Sequence, residues 1–181
     1  MPNTPVIVHL ALTTGDAHER LRALIHEVTG FADARLTHAC RSCGSSDHGR
    51  PVVIGVPRMA VSVSRTRDGD TALVACAEHP GLGVDVEACG AANFAGFANV
   101  ALHPKERCLS AVERTQLWVR KEALLKAHGI GLERDPRTIQ LAANGSVIAG
   151  PTASIHDLDL GPGLQAALAL TPPATATIQR H

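Results

Sequence analysis

Five side chains in two short stretches of this sequence could do chemistry together. In GVDVE (83–87), Asp85 and Glu87 stand at i and i+2. On a strand such side chains share a face, roughly 6–7 Å apart at Cα. Two like charges that close are relieved by a metal, by a Lys or Arg, or by open solvent at a strand end. In WVRKEALLKAHG (118–129), Trp118, Glu122 and Lys126 fall at i, i+4 and i+8, one stripe of a helix that stops at a glycine. Glu four residues ahead of Lys is a common surface pair worth ~0.3–0.5 kcal/mol. An aromatic in the same stripe argues against a face that is simply open water. Two or three carboxylates without His or Cys suit Mg²⁺, which keeps several waters and favours phosphate substrates.

The elements that must carry these residues follow from patterning. VIVHLALT and GLGVDVEA are expected to be strands. MAVSVS and TALVACA, broken by RTRDGD, are expected to form a hairpin, as are the runs flanking Asn144-Gly145. Asp16 can cap a helix carrying Leu21, Leu24, Ile25 and Val28 and ending at Gly30. A second helix is expected from Pro104 onward, a pair of strands in ASIHDLDLGPGLQAALAL, and a loose tail in TPPATATIQRH. RALIHEVTG (22–30) faintly echoes EALLKAHGIG (122–131), and paired strands follow in each half. These features predict an α+β protein of two similar halves, 1–90 and 91–181, around a pseudo-twofold.

Bulk properties exclude several classes. Lys plus Arg and Asp plus Glu both number 17, so no global field favours nucleic acid. No apolar run reaches the roughly 18 residues of a membrane span. The opening residues lack a basic lead and a small-residue cleavage site. Five irregularly spaced cysteines suit a reducing compartment, so a cytoplasmic protein is expected. With three Phe, one Trp and no Tyr, the core must rest on Leu, Val, Ile and Ala.

Taken together, GVDVE and the KEALLK that begins 34 positions after Glu87, with Trp118 three residues ahead of it, resemble the signature of the Sfp-type 4′-phosphopantetheinyl transferases. HGRP (48–51) resembles that family's Gly-basic-Pro segment, and VSVSRT lies where the family has a strand ending Ser-His-Ser. The resemblance implies two α+β halves with the active site between them. It implies Mg²⁺-dependent transfer of the phosphopantetheine arm from coenzyme A to a serine of an apo acyl or peptidyl carrier protein, by a monomer. By motif, Asp85, Glu87 and Glu122 match the metal-binding acids, and Glu122 also the general base. An ordinary carboxylate pKa near 4 would make that base weak. Lys126 matches a pyrophosphate contact, with Lys121 a second candidate. Arg50 matches a coenzyme phosphate contact and Ser64 a neighbour of the 3′-phosphate.

Two departures stand out. Arg65 replaces the histidine after Ser64, and can itself hold a phosphate bidentately. A basic segment that the family often carries ahead of DAHER is missing, for which Arg20 and Arg22 are the candidate substitutes. In CRSCGSSDH, Cys40, Cys43 and His48 form part of a zinc-like pattern, but no fourth ligand follows at suitable spacing. His48 is read instead as a loop residue beside the coenzyme. Phe94 and Phe97 are read as core, with a face for the carrier protein as the alternative. Two rival functions remain: a degenerate relative that binds coenzyme A or carrier without efficient transfer, and a Mg²⁺-dependent pyrophosphate hydrolase.

Overall fold

A computed structural model describes residues 4–108 and 110–181. In chain order its elements are β1 (Val6–Thr13), α1 (Ala17–Thr29), β2 (Arg35–Ala39), β3 (Arg50–Ile54), β4 (Met59–Arg65), β5 (Ala72–Glu78), β6 (Gly81–Ala88), the single turn α2 (Phe97–Val100), α3 (Ala111–His128), β7 (Gln140–Leu141), β8 (Val147–Ala149), β9 (Ser154–Leu158), β10 (Leu164–Thr171) and β11 (Ala176–Arg180). Short 3₁₀ turns cover Gly131–Glu133 and Pro136–Thr138.

Strand alternation sorts the core into three layers. One sheet runs β11-β1-β5-β4 and a second β6-β10-β9. Leu73, Ala75 and Ala77 of β5 meet Leu82, Val84 and Val86 of β6 and Leu168 and Leu170 of β10 between the sheets. The opposite side of β5, with Ala72, Val74 and Cys76, packs against Leu21, Leu24 and Ile25 of α1. Ala167 and Ala169 of β10 pack against Val119, Ala123 and Leu124 of α3. The result is helix, sheet, sheet, helix, an α+β arrangement. Any pseudo-twofold between its halves stays an expectation. Both sheets draw strands from across residue 90: β6 pairs with β10, and β11 with β1.

Several expected elements differ in detail. The second helix starts at Ala111, where Ser110 and Glu113 form a capping box, and Pro104 lies in the turns before it. The capping box satisfies N–H groups that a proline start would leave to solvent. The tail is not loose: β11 pairs in parallel with β1, and Ala176 and Ile178 pack on the core between the sheets. The polar run from Cys40 connects β2 and β3, a hairpin that its composition did not signal. No helix among the described residues is long and apolar enough to cross a membrane.

Candidate active site

The motif GLGVDVE works because its two faces differ. Leu82, Val84 and Val86 point into the core between the sheets. Gly81, Gly83, Asp85 and Glu87 share the other face. A Cβ at Gly83 would lie 2.1 Å from the Ala123 carbonyl oxygen, and one at Gly81 would lie 2.7 Å from that of Ala127. The bare backbone of β6 therefore seats α3 directly, and the acids follow where the glycines end. Trp118 lies beside Glu87, lining one small cavity with Arg67 and Phe94. The stripe Trp118, Glu122, Lys126 thus runs alongside Glu87, Asp85 and Gly83.

Lys126 Nζ donates to Asp85 Oδ1 at 2.6 Å, which uses one of its three protons. Ser64 Oγ donates to the same oxygen at 2.6 Å and accepts from the Val86 backbone N–H at 3.3 Å. Asp85 is only 5% exposed. It therefore sits in a packed wall, not at an open cleft surface. Asp85 Oδ2 and Glu122 Oε1 are buried and have no hydrogen-bond partner. Burial lifts the Glu122 carboxyl to about 7, with Asp85 and Glu87 adding repulsion and Lys126 opposing it. That lies above the ordinary carboxylate value near 4. Burial also raises Glu87, against the Arg67 backbone N–H that donates to its Oε2 at 3.0 Å.

Orphaned hard oxygens on Asp85 and Glu122 fit Mg²⁺. Glu87 is turned to Arg67, and the three carboxylates do not bring their ligand atoms within 4.8 Å of one another. Asp85 and Glu122 are the residues that could hold such an ion, while Glu87 accepts from the Arg67 backbone.

A cleft of about 500 Å³ opens beside this site, lined by Lys126, Arg50, Arg41 and His48. A larger cavity of about 670 Å³, lined by Arg41, Arg50, Arg58 and His79, shares part of that wall. Arg50 packs against Gly129, the helix cap of α3, where a Cβ would lie 3.3 Å from Arg50 Cδ. Burial, and next the neighbouring Arg41, lower the Arg50 pKa, so two cations lie close together on this wall. Arg41 donates to the His128 carbonyl at 3.2 Å. Sequence reasoning missed Arg41 and Arg58, which carry no periodic signal in loop-like stretches.

Other expected residues lie elsewhere. Lys121 is fully buried and donates to Glu106 Oε2 at 2.6 Å, to the Ala101 carbonyl at 2.7 Å and to the Pro136 carbonyl at 3.2 Å. All three of its protons are used, so it has none for a pyrophosphate. Ser64 is buried on Asp85 and does not line the Arg50 cleft. Arg65 donates to the carbonyls of Gly69 and Gly15, also outside that cleft. Arg20 pairs with Glu27 at 2.9 Å, Arg22 is exposed on α1, and neither lines either cavity.

Residues 81–159 match the model of the 4′-phosphopantetheinyl transferase superfamily. The matched segment runs from β6 to β9 and holds Asp85, Glu87, Glu122 and Lys126, while Arg50, Ser64 and Arg65 fall outside it. No curated protein matches the chain. The superfamily resemblance drawn from the two motifs is therefore shown over rather less than half of the chain, and it supports a transferase of the phosphopantetheinyl class.

Proposed function

We propose that the protein is a Mg²⁺-dependent enzyme of the Sfp, holo-carrier-protein synthase type. It would move the 4′-phosphopantetheine arm from coenzyme A to a serine of an apo acyl or peptidyl carrier protein, releasing 3′,5′-ADP. One observation carries this reading: Lys126 belongs to two places at once. Its ammonium bonds Asp85 in the acid site, and its side chain lines the cleft that Arg41 and Arg50 make cationic.

Each residue then has a task. Arg41, Arg50 and Lys126 hold the phosphates of coenzyme A and orient the pyrophosphate toward Asp85 and Glu122. Asp85 and Glu122, joined by Glu87, would hold Mg²⁺, which when bound offsets charge on the pyrophosphate. The carrier serine attacks the β-phosphorus. Its proton passes to Glu122, and the bond from that phosphorus to the bridging oxygen breaks, the oxygen leaving on 3′,5′-ADP. Ser64 is a positioning residue: it fixes one Asp85 oxygen and leaves the other free. The cytoplasmic location and the monomeric state belong to the same proposal.

The test is direct. The protein is incubated with coenzyme A, Mg²⁺ and apo carrier proteins, and the carrier is weighed. A mass gain of one phosphopantetheine on the carrier serine is expected. No gain on any carrier overturns the proposal, and hydrolysis of coenzyme A without carrier points to a pyrophosphate hydrolase.

A further inference from the structure

The connection from β2 to β3 brings Cys40, Cys43 and His48 together, although the sequence offered no fourth ligand in line. Their ligand atoms all lie within 4.8 Å of one another, and Cys43 Sγ stands 3.4 Å from His48 Nε2. Ligands on a tetrahedral ion with bonds of about 2.0–2.3 Å are roughly 3.3–3.8 Å apart, so the second spacing already matches. We propose that Cys40 Sγ, Cys43 Sγ and His48 Nε2 bind one zinc-class divalent ion, which fixes the turn carrying Arg41 and Arg50.

The backbone is shaped for this. The Gly44 N–H donates to the Cys40 carbonyl at 2.9 Å, and the Cys40 N–H to the Ser45 carbonyl at 3.0 Å. Gly44 has φ 73°, which lets the chain reverse just after the second cysteine. Gly49 presses on the end of β2 so closely that a Cβ would lie 2.6 Å from the Ala39 carbonyl oxygen, which holds His48 near the cysteines. Both cysteines are free thiols.

Two thiolates and an imidazole select zinc over Mg²⁺. Binding releases two thiol protons, and the two negative sulfurs balance the ion. Cys40 and His48 also line the cleft, where Glu133 lines the same wall and is hydrogen-bonded to Ser42. Arg41 sits between the two cysteines and Arg50 two residues past the histidine, so one ion would hold both cations in register. This inference does not depend on the transfer reaction.

The full chain, reduced and stripped of metal, is titrated with Co²⁺ alone. Expected are one equivalent bound with thiolate-to-cobalt charge-transfer absorption, its displacement by Zn²⁺, and at least about 100-fold weaker binding in Cys43→Ser and His48→Ala. Asp85→Asn keeps the band. Zn²⁺ also slows trypsin cleavage after Arg41 in the wild type but not in Cys43→Ser. Co²⁺ binding without the charge-transfer band, a band that survives Cys43→Ser, or a Cys40–Cys43 disulfide in the reduced chain overturns the metal site. Trypsin cleavage indifferent to Zn²⁺ overturns its role in the turn.

Discussion

Helix α3 carries two lysines, each 2.6 Å from a carboxylate, and the two pairs differ in almost everything else. Lys121 and Glu106 are 1% and 5% exposed at their side chains, and every proton and most lone pairs are spoken for. Glu106 also accepts from the backbone N–H groups of His103 and Leu141, both at 2.8 Å. Lys126 is 28% exposed, and its carboxylate neighbourhood holds more negative charge than one ammonium can balance. Two buried oxygens there have no partner. A saturated pair ties the chain together, here the turns near Ala101 and Pro136 against α3. An unsaturated one keeps binding capacity in reserve, and that is what marks a site.

Substitutions can break this contrast, from the largest effect downward. Lys121→Ala leaves Glu106 buried without its cation, so urea unfolding should register a loss of about 3–5 kcal/mol. Asp85→Asn should do the reverse: Tm near wild type, because Asn can still meet Ser64 and Lys126, but kcat for transfer down about 100-fold or more. An unstable Asp85→Asn protein with normal turnover would erase the distinction between the pairs. Gly83→Ala should cost about 1–3 kcal/mol in thermal unfolding, since its methyl meets the Ala123 carbonyl, and should weaken Mg²⁺ binding measured by calorimetry. Arg50→Ala should raise KM for coenzyme A about tenfold at unchanged Tm, a loss of ~1.4 kcal/mol in binding. An unchanged KM would remove Arg50 from the phosphate cleft.

The acid site was legible because its residues sit on regular elements. Alternation put Asp85 and Glu87 on one face of β6, and the helical repeat put Trp118, Glu122 and Lys126 in line, where the structure keeps them. The same repeat held a warning about Lys121 that motif matching overrode. It lies four residues from both Leu117 and Leu125, on the buried side of α3. Ser64 shares its strand face with Ser62, and both hydroxyls accept from backbone N–H groups of β6, a role that no spacing within β4 reveals. The cationic cleft was least legible. Arg41 and the cysteine turn depend on how β2 and β3 pair, and loop composition carries no period from which to read that pairing.

The glycines under α3 act as a spacer of zero length. Because backbone meets backbone there, the spacing of α3 from β6 is set by main-chain contact and not by the fit of side chains. The exposed end of the link from β6 to α3, just past Cys89, can then lengthen without altering how far Glu122 stands from Asp85, whereas Phe97, Ala101 and Glu106 further along it are packed against α3. An insertion after Cys89 should leave the metal affinity of the site intact, whereas one methyl group at Gly83 should not.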